Sequence, residues 1–109
     1  MPVQWKPLCT VSDLETAVSQ SFNAEHRFIF IFKHSTRCSI SRMALDRLER
    51  SLKANEPAYY LDLLSYRELS NLISERFSVQ HESPQVLIIK NGACILHASH
   101  NAITADLFS

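Results

Sequence analysis

The sequence predicts a mixed α/β sheet with helices on both faces, in the order βαβαβαββα, and three observations carry that prediction. Apolar runs too short for helices alternate with segments of helical period. Two stretches with the form of a capping box stand directly before helical stripes. The single glycine of the chain, in Asn91-Gly92, lies between two apolar runs and signals a type I′ hairpin. Strands joined through helices are expected to run parallel with right-handed crossovers and the hairpin makes the last two strands antiparallel, which gives a mixed sheet.

Residues 4–8 read as a short edge strand, because Pro2 and Pro7 flank it and proline is confined to sheet edges. Ser12-Asp13-Leu14-Glu15 has the pattern of a capping box, and Leu14, Val18 and Phe22 follow at helical intervals. Residues 28–32, FIFIF, form a strand buried on both faces. From Ile40 the period changes: Ile40, Ala44, Leu48 and Leu52 make the stripe of a second helix reaching about Asn55. Residues 58–63, AYYLDL, are the next strand. A second capping box, Ser65-Tyr66-Arg67-Glu68 with Leu64 and Leu69 as its staple, opens a third helix through Leu72, Ile73 and Phe77. The two final strands, on either side of Asn91-Gly92, show alternation, and a short helix is expected around residues 104–108. This element order is that of the thioredoxin-like fold, with the whole chain, residues 1–109, as one domain.

The bounds agree with such a domain. With 109 residues, 46% apolar and 20% charged, the chain can bury one core. No apolar run reaches the roughly 20 residues of a membrane span, and MPVQWKPLCT has no secretory pattern, so a cytoplasmic protein without membrane partners is expected. Eleven basic residues balance eleven acidic ones, which argues against nucleic acid. Cys9, Cys38 and Cys94 are odd in number and widely spaced, as reduced thiols would be rather than a disulfide framework.

Reaction sites in open α/β sheets gather at the carboxyl ends of parallel strands, and FKHSTRCSIS places Cys38 a short loop beyond one such end. A helix N-terminus favours a thiolate through its unpaired N–H groups and dipole. Lys33, His34, Arg37 and Arg42 lie within five residues of Cys38, and residues 33–53 hold six of the eleven basic residues against two acids. Lowering a thiol pKa from about 8.5 to about 6.5 raises the thiolate fraction at pH 7 roughly 25-fold, while nucleophilicity falls roughly 6- to 10-fold. The lower pKa also makes the sulfur a better leaving group, which suits exchange. Ser41 occupies the place of the second cysteine of a Cys-X-X-Cys motif; its hydroxyl cannot close an internal disulfide but can hydrogen-bond a thiolate. A mixed disulfide on Cys38 must then be resolved by an external thiol or a distant cysteine. Ser83-Pro84 precedes a strand, and a cis bond there would leave backbone free to pair with an extended substrate; composition does not specify the isomer.

KHSTRCSIS, followed some 40 residues later by ESPQVLIIKNG, resembles the YtxJ family of thioredoxin-like bacillithiol-system proteins, the monothiol bacilliredoxins, whose active segment has the form HST-x-C-P-I-S. The likeness covers nearly the whole chain. It implies a thioredoxin-like oxidoreductase of redox homeostasis and stress response that removes bacillithiol from mixed disulfides, with Cys38 as the reactive cysteine and Pro84 as the proline before the penultimate strand. S-thiolated client proteins and the small thiol are its implied partners, with bacillithiol as co-substrate and no bound cofactor. Ser39 stands where the family has proline. That change adds an N–H at the helix start and removes rigidity.

Around Cys38 and Ser41, the candidate substrate-binding residues are His34, Thr36, Arg37, Arg42, Ser83 and Pro84. The cations could pair with carboxylates of a small thiol, which fits the malate unit of bacillithiol. Equally, Lys33, Arg37 and Arg42 are ordinary solvated charges at the sheet rim, and His34 an exposed loop residue. Cys9 and Cys94 read as inert buried hydrophobes. Cys94, His97 and His100 have metal-like spacing, but residues 94 and 97 point to opposite faces of a strand, and no metal site is expected. Two other classes stay open: an iron–sulfur carrier, as in monothiol glutaredoxin-like proteins whose motif has glycine after the cysteine, and a non-catalytic stress adaptor.

Overall fold

The computed structural model describes residues 5–35, 39–51 and 56–103. Its sheet has five strands: β1 (Trp5–Pro7), β2 (Ile29–His34), β3 (Ala58–Asp62), β4 (Gln85–Lys90) and β5 (Ala93–Ser99), in the spatial order β1-β3-β2-β4-β5. β3 pairs in parallel with both β1 and β2, but β4 runs antiparallel to β2 as well as to β5, so the expectation that strands joined through helices are parallel fails for the β3–β4 connection: β4 does not pair with β3 but with β2, in the opposite direction. The helices are α1 (Val11–Gln20), α2 (Ser39–Ser51) and α3 (Arg67–Phe77), and a 3-10 turn spans His100–Ala102. The terminal helix expected at residues 104–108 lies outside the described residues, as do Gln4 and Leu52.

Two apolar layers sandwich the sheet. Leu14 and Val18 of α1, with Ile73 and Phe77 of α3, pack against Ile29, Ile31 and Leu87. On the other face Ala44 and Leu48 of α2 pack against Phe30, Phe32 and Val86. β2 and β4 are central and covered on both sides, so their apolar runs are buried almost throughout. The alternation expected in the final strands therefore fails in β4. In β5, the edge, Ile95 and Leu96 are both exposed beside an irregularity opposite Ile88/Ile89. Among the described residues no helix is long and apolar enough to cross a membrane.

Both capping boxes differ from expectation. α1 starts two residues earlier than a cap at Ser12 would allow: Thr10 is the N-cap, its Oγ1 accepting from Asp13 N at 3.1 Å while Asp13 Oδ2 accepts from Thr10 N at 3.1 Å. The N–H of Cys9, at 2.9 Å, and that of Thr10 hold the Asp13 carboxyl below its ordinary pKa. Glu15, free of any capping duty, pairs with Arg76 across to α3. At α3 the N-cap is Tyr66 without a side-chain cap, because Ser65 Oγ donates instead to Asp62 Oδ2 at 3.0 Å and Leu64 is exposed. Phe22 lies beyond the end of α1 and is exposed rather than part of its stripe.

The hairpin matches its sequence signal. Asn91 and Gly92 both have positive φ, 51° and 78°, as a type I′ turn requires. Ser21, at the C-terminal end of α1, anchors the turn: Asn91 N donates to Ser21 O at 2.9 Å and Gly92 N to Ser21 Oγ at 3.0 Å.

Candidate functional site

All six residues of β2 are buried, including Lys33 and His34, so neither is the exposed rim charge or loop histidine that the sequence suggests. Their faces differ because side chains alternate along a strand. Lys33 points with Ile29 and Ile31 toward α3, where Nζ donates to Ser70 O at 3.0 Å and Ser74 Oγ at 2.9 Å. His34 points with Phe30 and Phe32 toward α2. Its ring stacks on Phe32 with 5.7 Å between centroids and lies 5.5 Å from the ring of Tyr60. Burial lowers the His34 pKa; the Arg42 charge adds to this and Asp62 opposes it.

At α2 the inward stripe is Ser41, Ala44 and Leu48, not Ile40, Ala44 and Leu48. Ser41 is 0% exposed and Ile40 is 50% exposed. A 100° step per residue separates the two positions, and the inward one is taken by the group with hydrogen bonds to make. Ser41 Oγ lies 2.6 Å from His34 Nδ1 and accepts from Ser35 N at 3.0 Å. The hydroxyl thus ties the end of β2 to the first turn of α2. Cys38, Thr36 and Arg37 lie outside the described residues; in the chain Cys38 immediately precedes α2, which opens at Ser39.

The other side of β2 brings in the remaining candidates. Lys33 pairs with Gln85, the first residue of β4, so Ser83 and Pro84 come to the carboxyl end of β2 beside His34. The Ser83-Pro84 peptide bond is cis. Pro84 is buried, its carbonyl accepting from His100 N at 3.1 Å, and Ser83 Oγ is buried without a hydrogen-bond partner. His34, Ser41, Ser83 and Pro84 therefore gather at one end of the sheet. Arg42 is exposed on α2 and near enough for its charge to reach His34. Ile40 and Met43, both exposed on α2, add apolar surface that the periodicity had assigned to the core or left unremarked.

The two other cysteines are partly exposed free thiols, not fully buried ones. Cys94 pairs in register with Ile89, which faces Ile29, so it lies at the opposite end of the sheet from His34. Burial raises its pKa. Cys9 follows β1 and lines a cavity of about 660 Å³ with Tyr66, Arg67 and Leu69. That cavity shares the carboxyl end of the parallel strands, but β3 stands between β1 and β2. The neighbouring Cys9 side chain raises the Tyr66 pKa. Among the described residues no group of three or more His, Cys, Asp or Glu side chains is placed to hold a metal.

Comparison with known proteins agrees with this geometry. A solved structure of a candidate oxidoreductase with a thioredoxin fold is 28% identical, with a TM-score of 0.82 over 94% of this chain and 88% of that one. Mitochondrial thioredoxin 3 from Saccharomyces cerevisiae, in its oxidised form, shares the fold at a TM-score of 0.71 and 12% identity, over 95% of this chain and 89% of that one. Fasciola hepatica thioredoxin does so at 0.65 and 21%, over 86% and 85%. The fold is thioredoxin-like and the chemistry is thiol redox chemistry. The profile of the monothiol bacilliredoxin BrxC family matches residues 6–107, and the chain belongs to that family.

Proposed function

We propose that this protein is a monothiol disulfide reductase that removes a low-molecular-weight thiol, bacillithiol or one like it, from mixed disulfides on client proteins, with Cys38 as nucleophile. The observation that carries this reading is Ser41. One helical turn after Cys38 in the chain, where a dithiol enzyme has its second sulfur, stands a buried hydroxyl bonded to Ser35 N and His34 Nδ1. No internal disulfide can form at that position, so the exchange runs through a disulfide with the small thiol.

The step balances without a bound cofactor. Cys38 thiolate attacks the small-thiol sulfur of the client disulfide; that S–S bond breaks, the client sulfur leaves as thiolate and takes a proton from water. A free small thiolate then attacks the Cys38 mixed disulfide, releasing the symmetric small-thiol disulfide and regenerating Cys38. The exposed Ile40 and Met43 beside the site offer apolar surface to a client, and Arg42 a cation to a carboxylated thiol. Reduction of a bacillithiolated test protein, followed by intact mass, tests the reading. Wild type should release the client thiol and carry the added mass on Cys38, whereas the Cys38→Ser variant should do neither; equal turnover in that variant would overturn it.

A further inference from the structure

We propose that Lys33 is a positioning residue: through His81 it holds residues 79–84 in place, so that Ser83, at the carboxyl end of β2, can pair with the backbone of a peptide client. The proposal rests on the reading of the protein as a reductase of client disulfides, and it assigns to this tie the preference for a peptide over a small disulfide.

A neutral side chain could fill the place of this buried charge. Lys33 is 0% exposed, and among the described residues no carboxylate lies within ion-pair distance of it. Methionine is of similar length and would spare the cost of desolvating an ammonium. What it could not supply is three donors. Lys33 Nζ uses them on Ser70 O at 3.0 Å, Ser74 Oγ at 2.9 Å and His81 Nδ1 at 3.3 Å. An ammonium only donates, so Nδ1 accepts and the proton of the neutral imidazole is on Nε2. Ser70 Oγ, 3.2 Å from the same nitrogen, donates to it as well. Two of the three Lys33 bonds end on α3, whereas the bond to His81 joins β2 to the segment between α3 and β4.

That segment carries a residue without partners. Gln80 O accepts from Gln85 Nε2 at 2.9 Å, Glu82 accepts from Ser99 Oγ, and Pro84 O accepts from His100 N at 3.1 Å. Ser83 lies among them, yet among the described residues neither its N–H nor its C=O makes a hydrogen bond, and its Oγ is buried without one. Buried polar groups are normally satisfied, so an unpaired residue held between paired neighbours is prepared for an outside partner. An extended peptide supplies an N–H and a C=O for it, as a strand added to a sheet edge does. A small disulfide without a peptide group supplies neither. Without the ammonium, His81 keeps only Ser70, and its tie to β2 is gone.

The test compares two substrates, a protein client carrying bacillithiol in mixed disulfide and the mixed disulfide of bacillithiol with cysteamine. Lys33→Met and His81→Leu should each raise KM for the protein client about 2- to 10-fold, the worth of one net hydrogen bond, with kcat unchanged and the cysteamine disulfide turned over as by wild type. The Lys33→Met/His81→Leu protein should lose no more than either single variant, because both remove the same contact, and His81→Gln, whose carbonyl can accept from Lys33, should keep the wild-type KM. Equal losses on both substrates, additive losses or an unchanged KM would overturn the proposal. The 15N order parameters of residues 80–83 read the tie without any chemistry. They should be about 0.85 in wild type and His81→Gln and fall in Lys33→Met and His81→Leu, and identical values would overturn the proposal as well. A wild type that exchanges neither substrate removes the proposed reaction instead, and the order parameters then still decide whether Lys33 holds the segment.

Discussion

Lys33 Nζ donates to Ser74 Oγ at 2.9 Å, and the whole lysine side chain is inaccessible to solvent. Its other partners are Ser70 O and His81 Nδ1, the latter at 3.3 Å, and among the described residues no carboxylate lies within ion-pair distance of it. Burial lowers its pKa from 10.5 to about 8.

That depression sets a pH dependence of stability. Below pH 8 the amine is charged in both states and the folded protein bears the full desolvation penalty. Between about 8 and 10.5 the unfolded chain holds a proton that the folded one has lost, so this group makes stability rise with pH. Relative to Lys33→Met, the wild type should gain up to ~1.4 kcal/mol per pH unit across that window. Urea unfolding at pH 7, 8, 9 and 10 measures the difference, and parallel curves for the two proteins would contradict it.

The hairpin turn should resist side chains at Gly92. A Cβ there would lie 2.8 Å from Phe22 Cζ, and the residue has φ +78°. The exposed Phe22 ring can swing away, but the backbone conformation cannot be relieved so easily. Gly92→Ala should destabilise the protein by about 1 to 2 kcal/mol. Adding Phe22→Ala should recover only the steric part in thermal or urea unfolding.

The observed cap of α1 and the absent cap of α3 separate in the same assay. Thr10→Ala should cost about 1 kcal/mol, because it removes the acceptor of Asp13 N. Ser65→Ala should change stability by less than about 0.5 kcal/mol, since its exposed hydroxyl caps no helix. Equal losses would mean that Ser65 caps α3 in solution.

Turnover should not depend on Cys9 or Cys94. Cys94 sits at the far end of the sheet, and β3 separates Cys9 from the end of β2. The Cys9→Ser/Cys94→Ser protein should therefore reduce a mixed disulfide at the wild-type rate when free small thiol is supplied. A stalled Cys38 adduct in that variant would identify one of the two as the resolving thiol.

Local pattern was enough for much of this molecule. FIFIF, AYYLDL and the Asn91-Gly92 turn read correctly as strands and hairpin because their signals, period and turn chemistry, are carried by adjacent residues. The Cys38 and Ser41 spacing, and with it the monothiol reading, is likewise a matter of neighbours along the chain. Three features were beyond that reach. Lys33 and His34 are buried because β3, β4, α2 and α3 cover β2, and no residue next to them announces it. Ser41 rather than Ile40 faces inward because one buried hydroxyl meets both a backbone N–H and an imidazole, partners brought together by the sheet. Helix α1 is capped from Thr10, not Ser12: two short patterns, Thr10 with Asp13 and Ser12 with Glu15, each spaced three residues apart, compete, and local spacing does not choose between them. For Lys33, His34 and Ser41 the deciding energy is the satisfaction of polar groups removed from water, which depends on contacts between distant segments and so belongs to the folded chain.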